Sequence, residues 1–249
     1  MPARGKLIVL EGIDGSGKRT QLEMLARALT SRAIPFTQLS FPRYEGFFGR
    51  MVAQFLNGQF GSLDSVDPHL SSLLYAGDRL DAKPAIEAAL AAGHIVLADR
   101  YIGSNLAHQG ARVPPAKRAA FLAWLNRLEY EVYALPPEDL VIYLRVPPAA
   151  AHRLVAQKSA RKYTKRRRDI LEASVAHLAT ASGVYDQLAR RPNWVKIECA
   201  DAARTRKTGA AAQKTASASL RSPEAIHADV MYAIEGRILS AAHMEARAI

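Results

Sequence analysis

Residues 7–30 read LIVLEGIDGSGKRTQLEMLARALT. A continuous apolar run closes on a glutamate, a glycine-rich turn follows, and after a lysine Leu22, Leu25, Ala26 and Leu29 recur at i, i+3, i+4 and i+7. The pattern predicts a buried strand, a tight loop and an amphipathic helix. In that order, small loop residues can aim backbone N–H groups at phosphate oxygens, and the helix N-terminus adds a favourable dipole. Gly12, Ile13, Asp14, Gly15, Ser16, Gly17 and Lys18 stand in the register of G-x-x-x-x-G-K-[ST]. The next residue breaks it, because Arg19 occupies the place of the hydroxyl and Thr20 arrives one position late. Residues 12–20 are therefore the candidate site for a nucleoside triphosphate. The plain alternative is a tight turn with a surface lysine.

Four further apolar runs read as strands, FTQLSF (36–41), HIVLAD (94–99), LVIYLR (140–145) and WVKIEC (194–199). Most lead into stretches of helical period. Alternation of this kind predicts an α/β chain, a parallel sheet covered by helices on both faces. Residues 202–222, AARTRKTGAAAQKTASASLRS, hold no aromatic and one large aliphatic, Leu220, so burial cannot offset the entropy of ordering them. They read as a basic linker. Ser222 and Pro223 then look like an N-cap and first-turn proline of a last helix, roughly 223–246.

At 249 residues, 49% hydrophobic and 23% charged, the chain is expected to be one soluble globular domain with an extension. One cysteine, Cys199, permits no internal disulfide. No signal peptide is legible, and no uncharged apolar run approaches the ~18 residues of a membrane span. The expected location is the cytoplasm. The net charge of +11 raises a nucleic-acid reading, but the excess is local. Residues 1–150 carry 16 basic and 14 acidic side chains, residues 151–222 carry 16 and 5, and residues 223–249 carry 2 and 4.

Two more features bear on phosphate chemistry. Asp99 ends an apolar strand, where it would face the same crevice as Lys18, as the acidic metal partner of phosphate-loop enzymes does. Alternatively it caps the next helix or pairs with Arg100. In 157-QKSARKYTKRRRD-169, seven Lys or Arg fall within 158–168. Such a run is commonly a solvated face or a nucleic-acid patch. Beside a phosphate loop it fits a mobile lid, about 147–170, that brings arginines onto a transferring phosphoryl group.

The motifs 41-FPRYEGFFG-49, 74-LYAGDR-79, 99-DRY-101 and 104-SNLAHQG-110, with GIDGSGK before them, narrow the reading. In this order and spacing the chain resembles the thymidylate kinases, over about residues 6–199 plus the final helix. The resemblance implies a P-loop kinase fold, three-layer α/β/α around five parallel strands. Its domain would span 1–201, with the linker at 202–222 and a helix at 223–249 packing on the same body. It implies in-line transfer of the ATP γ-phosphoryl to dTMP, with Mg2+ as cofactor and a homodimer as the usual assembly. Arg43 and Arg100 match arginines that hold the acceptor phosphate, a role suited to a forked, permanent charge. Tyr75 matches an aromatic stacking on the base, and Phe41, in the FPR motif, is a further expected dTMP-binding residue. Arg79 matches an arginine that binds a thymine carbonyl, and Asn105 and Gln109 are placed to read the base edge. His108 stands where the family more often has Tyr or Phe near C2′ of the sugar. Tyr185 matches a tyrosine beneath the sugar. Asp14 matches a carboxylate near the sugar 3′-hydroxyl and the bridging phosphates, an orienting group more than a base.

Each residue also has a plainer reading. Tyr75 shares an apolar helical stretch with Leu70, Leu73 and Leu74. Arg79 could pair with Asp78 or Asp81, Tyr185 could be helix packing, and His108 could be structural. Arg19 leaves three possibilities. Thr20, Asp99 or water completes the metal shell while Arg19 adds charge near the phosphates; the metal sits nearer Asp14 and the acceptor; or the enzyme is inactive. The loop itself carries no arginine between Asp14 and Lys18, so one of Arg161, Arg166, Arg167 and Arg168 in the lid is the expected catalytic arginine. Rival functions are another nucleoside monophosphate kinase and, less favoured, a nucleic-acid-binding P-loop ATPase.

Overall fold

The structure, a computed structural model, describes residues 4–156, 175–201 and 219–239. Five parallel strands form one sheet in the order β2-β3-β1-β4-β5, with β1 Leu7–Glu11, β2 Phe36–Ser40, β3 Ile95–Asp99, β4 Leu140–Arg145 and β5 Trp194–Glu198. All five apolar runs are strands, each within a residue of its expected bounds. β1 lies at the centre and all five of its residues are buried, as a strand covered on both faces requires. The outer strands β2 and β5 are only partly buried.

The helices are α1 Lys18–Ser31, α2 Phe47–Leu56, α3 Pro68–Ala91, α4 Ile102–Gly110, α5 Pro115–Asn126, α6 Pro148–Ala156, α7 Val175–Leu188 and α8 Pro223–Ile234. α1 and α8 pack together on one face, while α3, α4 and α7 form the layer on the other. This is the three-layer P-loop kinase fold expected. α1 buries Leu22, Leu25 and Leu29, the predicted stripe. α8 begins as its cap residues suggest, with Ser222 Oγ accepting the Ala225 amide at 3.1 Å and Pro223 in the first turn. It gives way to a π-helical turn over Glu235–Leu239. Gln21 of α1 donates to the Pro223 carbonyl at 2.8 Å, which seats α8 beside the helix of the phosphate loop.

Because every strand runs the same way, Glu11, Ser40, Asp99, Arg145 and Glu198 all end at one edge of the sheet. Leu10 is in register with Asp99, and Asp99 with Ser40. The loops leaving this edge carry the candidate site, as open parallel sheets arrange. Of the expected lid, residues 148–156 are α6, whereas Arg161, Arg166, Arg167 and Arg168 lie outside the described residues. So does most of the basic linker. Its last residues are described, and Leu220 forms an isolated antiparallel bridge with Ala200. No described helix is long and apolar enough to cross a membrane.

Candidate active site

The loop between β1 and α1 wraps around its own lysine. Lys18 opens α1, is buried, and donates from Nζ to the carbonyls of Gly12 at 2.8 Å and Ile13 at 3.0 Å. Burial, and then the neighbouring Arg100, push its pKa down to about 8. Two glycines are required by geometry. Gly17 caps α1 at φ 89°, and Gly15, at φ 86°, would bring a Cβ within 2.5 Å of the Ala151 carbonyl oxygen at the start of α6.

Asp14, Asp99 and Arg100 meet at the edge beside this loop. Arg100 Nη2 donates to Asp14 Oδ1 at 2.5 Å, and Nη1 reaches the Gly12 carbonyl at 3.2 Å and Ser104 Oγ at 3.1 Å. Asp99 places Oδ1 in a buried position with no hydrogen-bond partner among the described residues. It neither pairs with Arg100 nor caps the helix through that atom. Arg19 is 83% exposed on the side chain and runs along α1 to Glu23 at 2.9 Å, and Thr20 is exposed.

Next to these groups a cavity of about 580 Å3, counted to its open mouth, sinks between α2, α3 and α4. Asp14, Phe41, Tyr75, Arg79, Arg100, Asn105, His108 and Gln109 all line it, joined by Tyr44, Leu56 and Ser104, which sequence reasoning did not name. Arg43 and Tyr185 are not part of its wall. Arg43 is tied to Asp78, with its amide 2.8 Å from Oδ2 and Nε 3.1 Å from Oδ1, and donates to Asp81 at 2.5 Å. Tyr185 is fully buried, stacks on Tyr143 at 5.1 Å and donates to Glu11 at 2.8 Å. Its hydroxyl also lies 3.0 Å from Ser104 Oγ, and its ring meets His108 edge-on at 6.0 Å, both residues of the cavity wall.

The cavity floor is polar and ordered. Arg79 pairs with Glu129, not with Asp78 or Asp81, through Nε to Oε2 at 2.6 Å and Nη2 to Oε1 at 2.5 Å. Asn105 donates from Nδ2 to Ser72 O at 3.1 Å and to Glu129 Oε1 at 2.8 Å. Both amide protons are thereby spent, so Oδ1 is the atom left over, buried and without a partner among the described residues. Gln109 is already engaged, its Oε1 accepting from Ser71 at 2.9 Å and Arg112 at 2.5 Å. Tyr75 is both things its neighbours suggested, a wall of the cavity and an edge-on contact of Phe55 at 6.4 Å. His108 lies on the wall with Nε2 3.4 Å from Arg100 Nη1. Arginine only donates, so Nε2 accepts and the ring proton sits on Nδ1. Burial, then Arg100, hold this histidine well below its usual pKa, so it is neutral at pH 7.

Sequence reasoning passed over Glu11, Glu129 and Ser104. Glu11 carried only a general signal, since a carboxylate that is buried must find donors, without saying which ones. Glu129, in 127-RLEYEV-132, carried none.

The phosphate loop, the paired carboxylate and arginine, and the deep polar-floored cavity stand on one edge of one sheet. The family model for thymidylate kinase matches residues 10–205 of this chain. The chain belongs to the thymidylate kinase family. A thymidylate kinase of Mycobacterium tuberculosis is 32% identical over 187 residues, covering 74% of this chain and 85% of the relative. A probable thymidylate kinase of Pyrobaculum aerophilum is 32% identical over 199 residues, covering 78% and 94%. In three dimensions the solved thymidylate kinase of Candida albicans superposes with a TM-score of 0.69, covering 95% of this chain and 93% of that one. Its identity is 18%, so that likeness speaks for the fold.

Proposed function

We propose that this thymidylate kinase family member transfers the γ-phosphoryl of ATP to dTMP, giving dTDP and ADP. One observation carries the choice of base. At the cavity floor Arg79 retains Nη1 beyond its bidentate pair, and Asn105 retains only an acceptor. A donor beside an acceptor complements a thymine carbonyl and its neighbouring N3–H. Cytosine presents an amino donor and a bare N3 there, the reverse pattern, and would leave buried groups unpaired.

In this reading the loop amides and Lys18 hold the donor phosphates, and Arg100 and Arg43 receive the acceptor phosphate. Both arginines rest on carboxylates that a phosphate would displace or share. Asp14 orients the attacking phosphate by holding Arg100, and direct in-line transfer asks for no strong base. A magnesium ion fits the site's donor set, with the buried Oδ1 of Asp99, which has no hydrogen-bond partner among the described residues, and the carboxylate of Asp14 as protein oxygens and phosphates as the rest. When bound it would neutralise charge on the bridging phosphate oxygens. Thr20 belongs to the same proposed shell. One of Arg161, Arg166, Arg167 and Arg168 would contribute the remaining cation at the transferring group. We also assign a homodimer and a cytoplasmic location; the exposed Phe47 on α2 and Leu80 on α3, helices that pack together, suit a self-associating face.

The test is ADP release from ATP and magnesium with dTMP, dUMP, dCMP, dGMP, UMP or no acceptor. Strong dTMP dependence supports the proposal. Turnover preferring another monophosphate would keep the fold and overturn the assignment of the floor. ATP hydrolysis stimulated by DNA or RNA would favour the ATPase reading instead.

A further inference from the structure

Glu11 closes β1, immediately precedes the phosphate loop, and is fully buried. Its Oε1 accepts the amides of Tyr101 and Ser104, each at 2.9 Å, and its Oε2 accepts the hydroxyls of Ser104 at 2.6 Å and Tyr185 at 2.8 Å. The two amides are those of Tyr101, the N-cap residue of α4, and of Ser104 in its first turn, and α4 has no side-chain cap of its own. Such amides are orphan donors unless something outside the helix satisfies them. Here a carboxylate from the neighbouring strand does so. Gly103 leaves the necessary room, since a Cβ there would stand 2.9 Å from Glu11 Oε1 and 2.9 Å from the Trp194 ring.

The preceding residue completes the clamp. The carbonyl of Leu10 accepts the Arg100 amide at 2.9 Å, so the amides of residues 100 and 101 are both held by the end of β1. Between them Arg100 has φ 67°, a left-handed conformation that a long side chain adopts only when its surroundings impose it. Ser104 Oγ then receives Arg100 Nη1 at 3.1 Å while donating to Glu11. The Arg100–Tyr101 peptide, through the Tyr101 amide, and the Arg100 guanidinium, through Ser104 Oγ, are thus both referred to one buried carboxylate that is not part of the cavity wall.

We propose that Glu11 is a positioning residue that couples the phosphate loop to the acceptor helix α4. It sets Arg100, and with α4 also Asn105 and His108, relative to Lys18 and Asp14. The inference rests on the phosphotransfer reading above. Its test uses Glu11→Gln, Ser104→Ala and the double variant. Glu11→Gln is expected to lower kcat/KM for dTMP by roughly tenfold or more while KM for ATP stays within about twofold. Ser104→Ala should reproduce part of that loss, and the double variant should be no worse than Glu11→Gln alone, because both act through one relay. Unchanged dTMP kinetics in Glu11→Gln, equal losses toward both substrates, or strictly additive effects would overturn the proposal. Amide hydrogen exchange at Tyr101 and Ser104 reads the clamp without any substrate. Faster exchange there in Glu11→Gln, with β1 unchanged, supports the coupling, and unaltered exchange sinks it. A wild-type protein that neither binds nor phosphorylates dTMP would instead defeat the phosphotransfer reading, and the exchange result would still decide the role of Glu11.

Discussion

Arg79 and Glu129, fifty residues apart, form a two-point ion pair in which the side chains are 2% and 0% exposed. Neither charge has water to fall back on, and Asn105 shares the same carboxylate. Removing one partner strands the other. Glu129→Ala is expected to lower unfolding free energy by about 3–5 kcal/mol, a scale set by breaking other buried pairs. It should also weaken dTMP binding, since the floor would lose its order. Urea denaturation checks the first effect, and a change under about 1 kcal/mol would mean the pair is not buried as described.

Asp14 and Arg100 meet at 2.5 Å across the mouth of the cavity. Asp14→Asn keeps the shape and removes the charge that orients the guanidinium. The expected loss in kcat is on the order of 10²-fold, with KM for ATP little changed. Steady-state kinetics with each substrate varied in turn would show it, and a kcat near wild type would remove Asp14 from the transfer step.

Lys18 provides a pH signature. Its pKa falls from 10.5 to about 8 because burial, and then Arg100, disfavour the ammonium. The folded protein therefore holds fewer protons than the unfolded chain between those values, so this group's contribution to stability rises with pH across the window. Bound polyphosphate favours the ammonium and reverses the shift. ATP binding should take up a proton at pH of about 9 and weaken as pH climbs above about 8. Calorimetry in buffers of different ionisation enthalpy measures the uptake. Its persistence in Lys18→Met would assign it elsewhere.

Arg19 departs from the hydroxyl of the phosphate-loop pattern, yet its side chain lies outside the site on Glu23. Arg19→Ala is therefore expected to change kcat by no more than about threefold. A much larger loss would place the arginine near the phosphates during turnover.

The lid arginines are tested one at a time. Among Arg161→Ala, Arg166→Ala, Arg167→Ala and Arg168→Ala, at least one should lose more than roughly tenfold in kcat, since a cation on the transferring group is worth far more than that in related chemistry. Four near-normal variants would return the basic run to a solvated face.

Short-range pattern determined much of this protein. Continuous apolar runs became strands because a parallel sheet buries both faces of its inner strands, and the helical stripe of α1 and the Ser222–Pro223 start of α8 follow from local periodicity and capping. The loop from Gly12 to Lys18 was legible because phosphate binding needs small residues and a lysine at fixed spacing. Partner choice was not legible. Arg79 had two aspartates close in sequence, yet the fold brings Glu129 against it and leaves Asp78 and Asp81 to Arg43. Tyr185 matches a tyrosine beneath the sugar by its motif, and only the fold shows its hydroxyl on Glu11 and Ser104. Glu11 itself ends the most obvious strand and gives no local hint that it would cap a helix ninety residues later. Ion pairs and caps between distant elements depend on which groups the layers bury together. A buried charge takes whatever partner the topology brings within reach, so that part of the site was decided only by the tertiary structure.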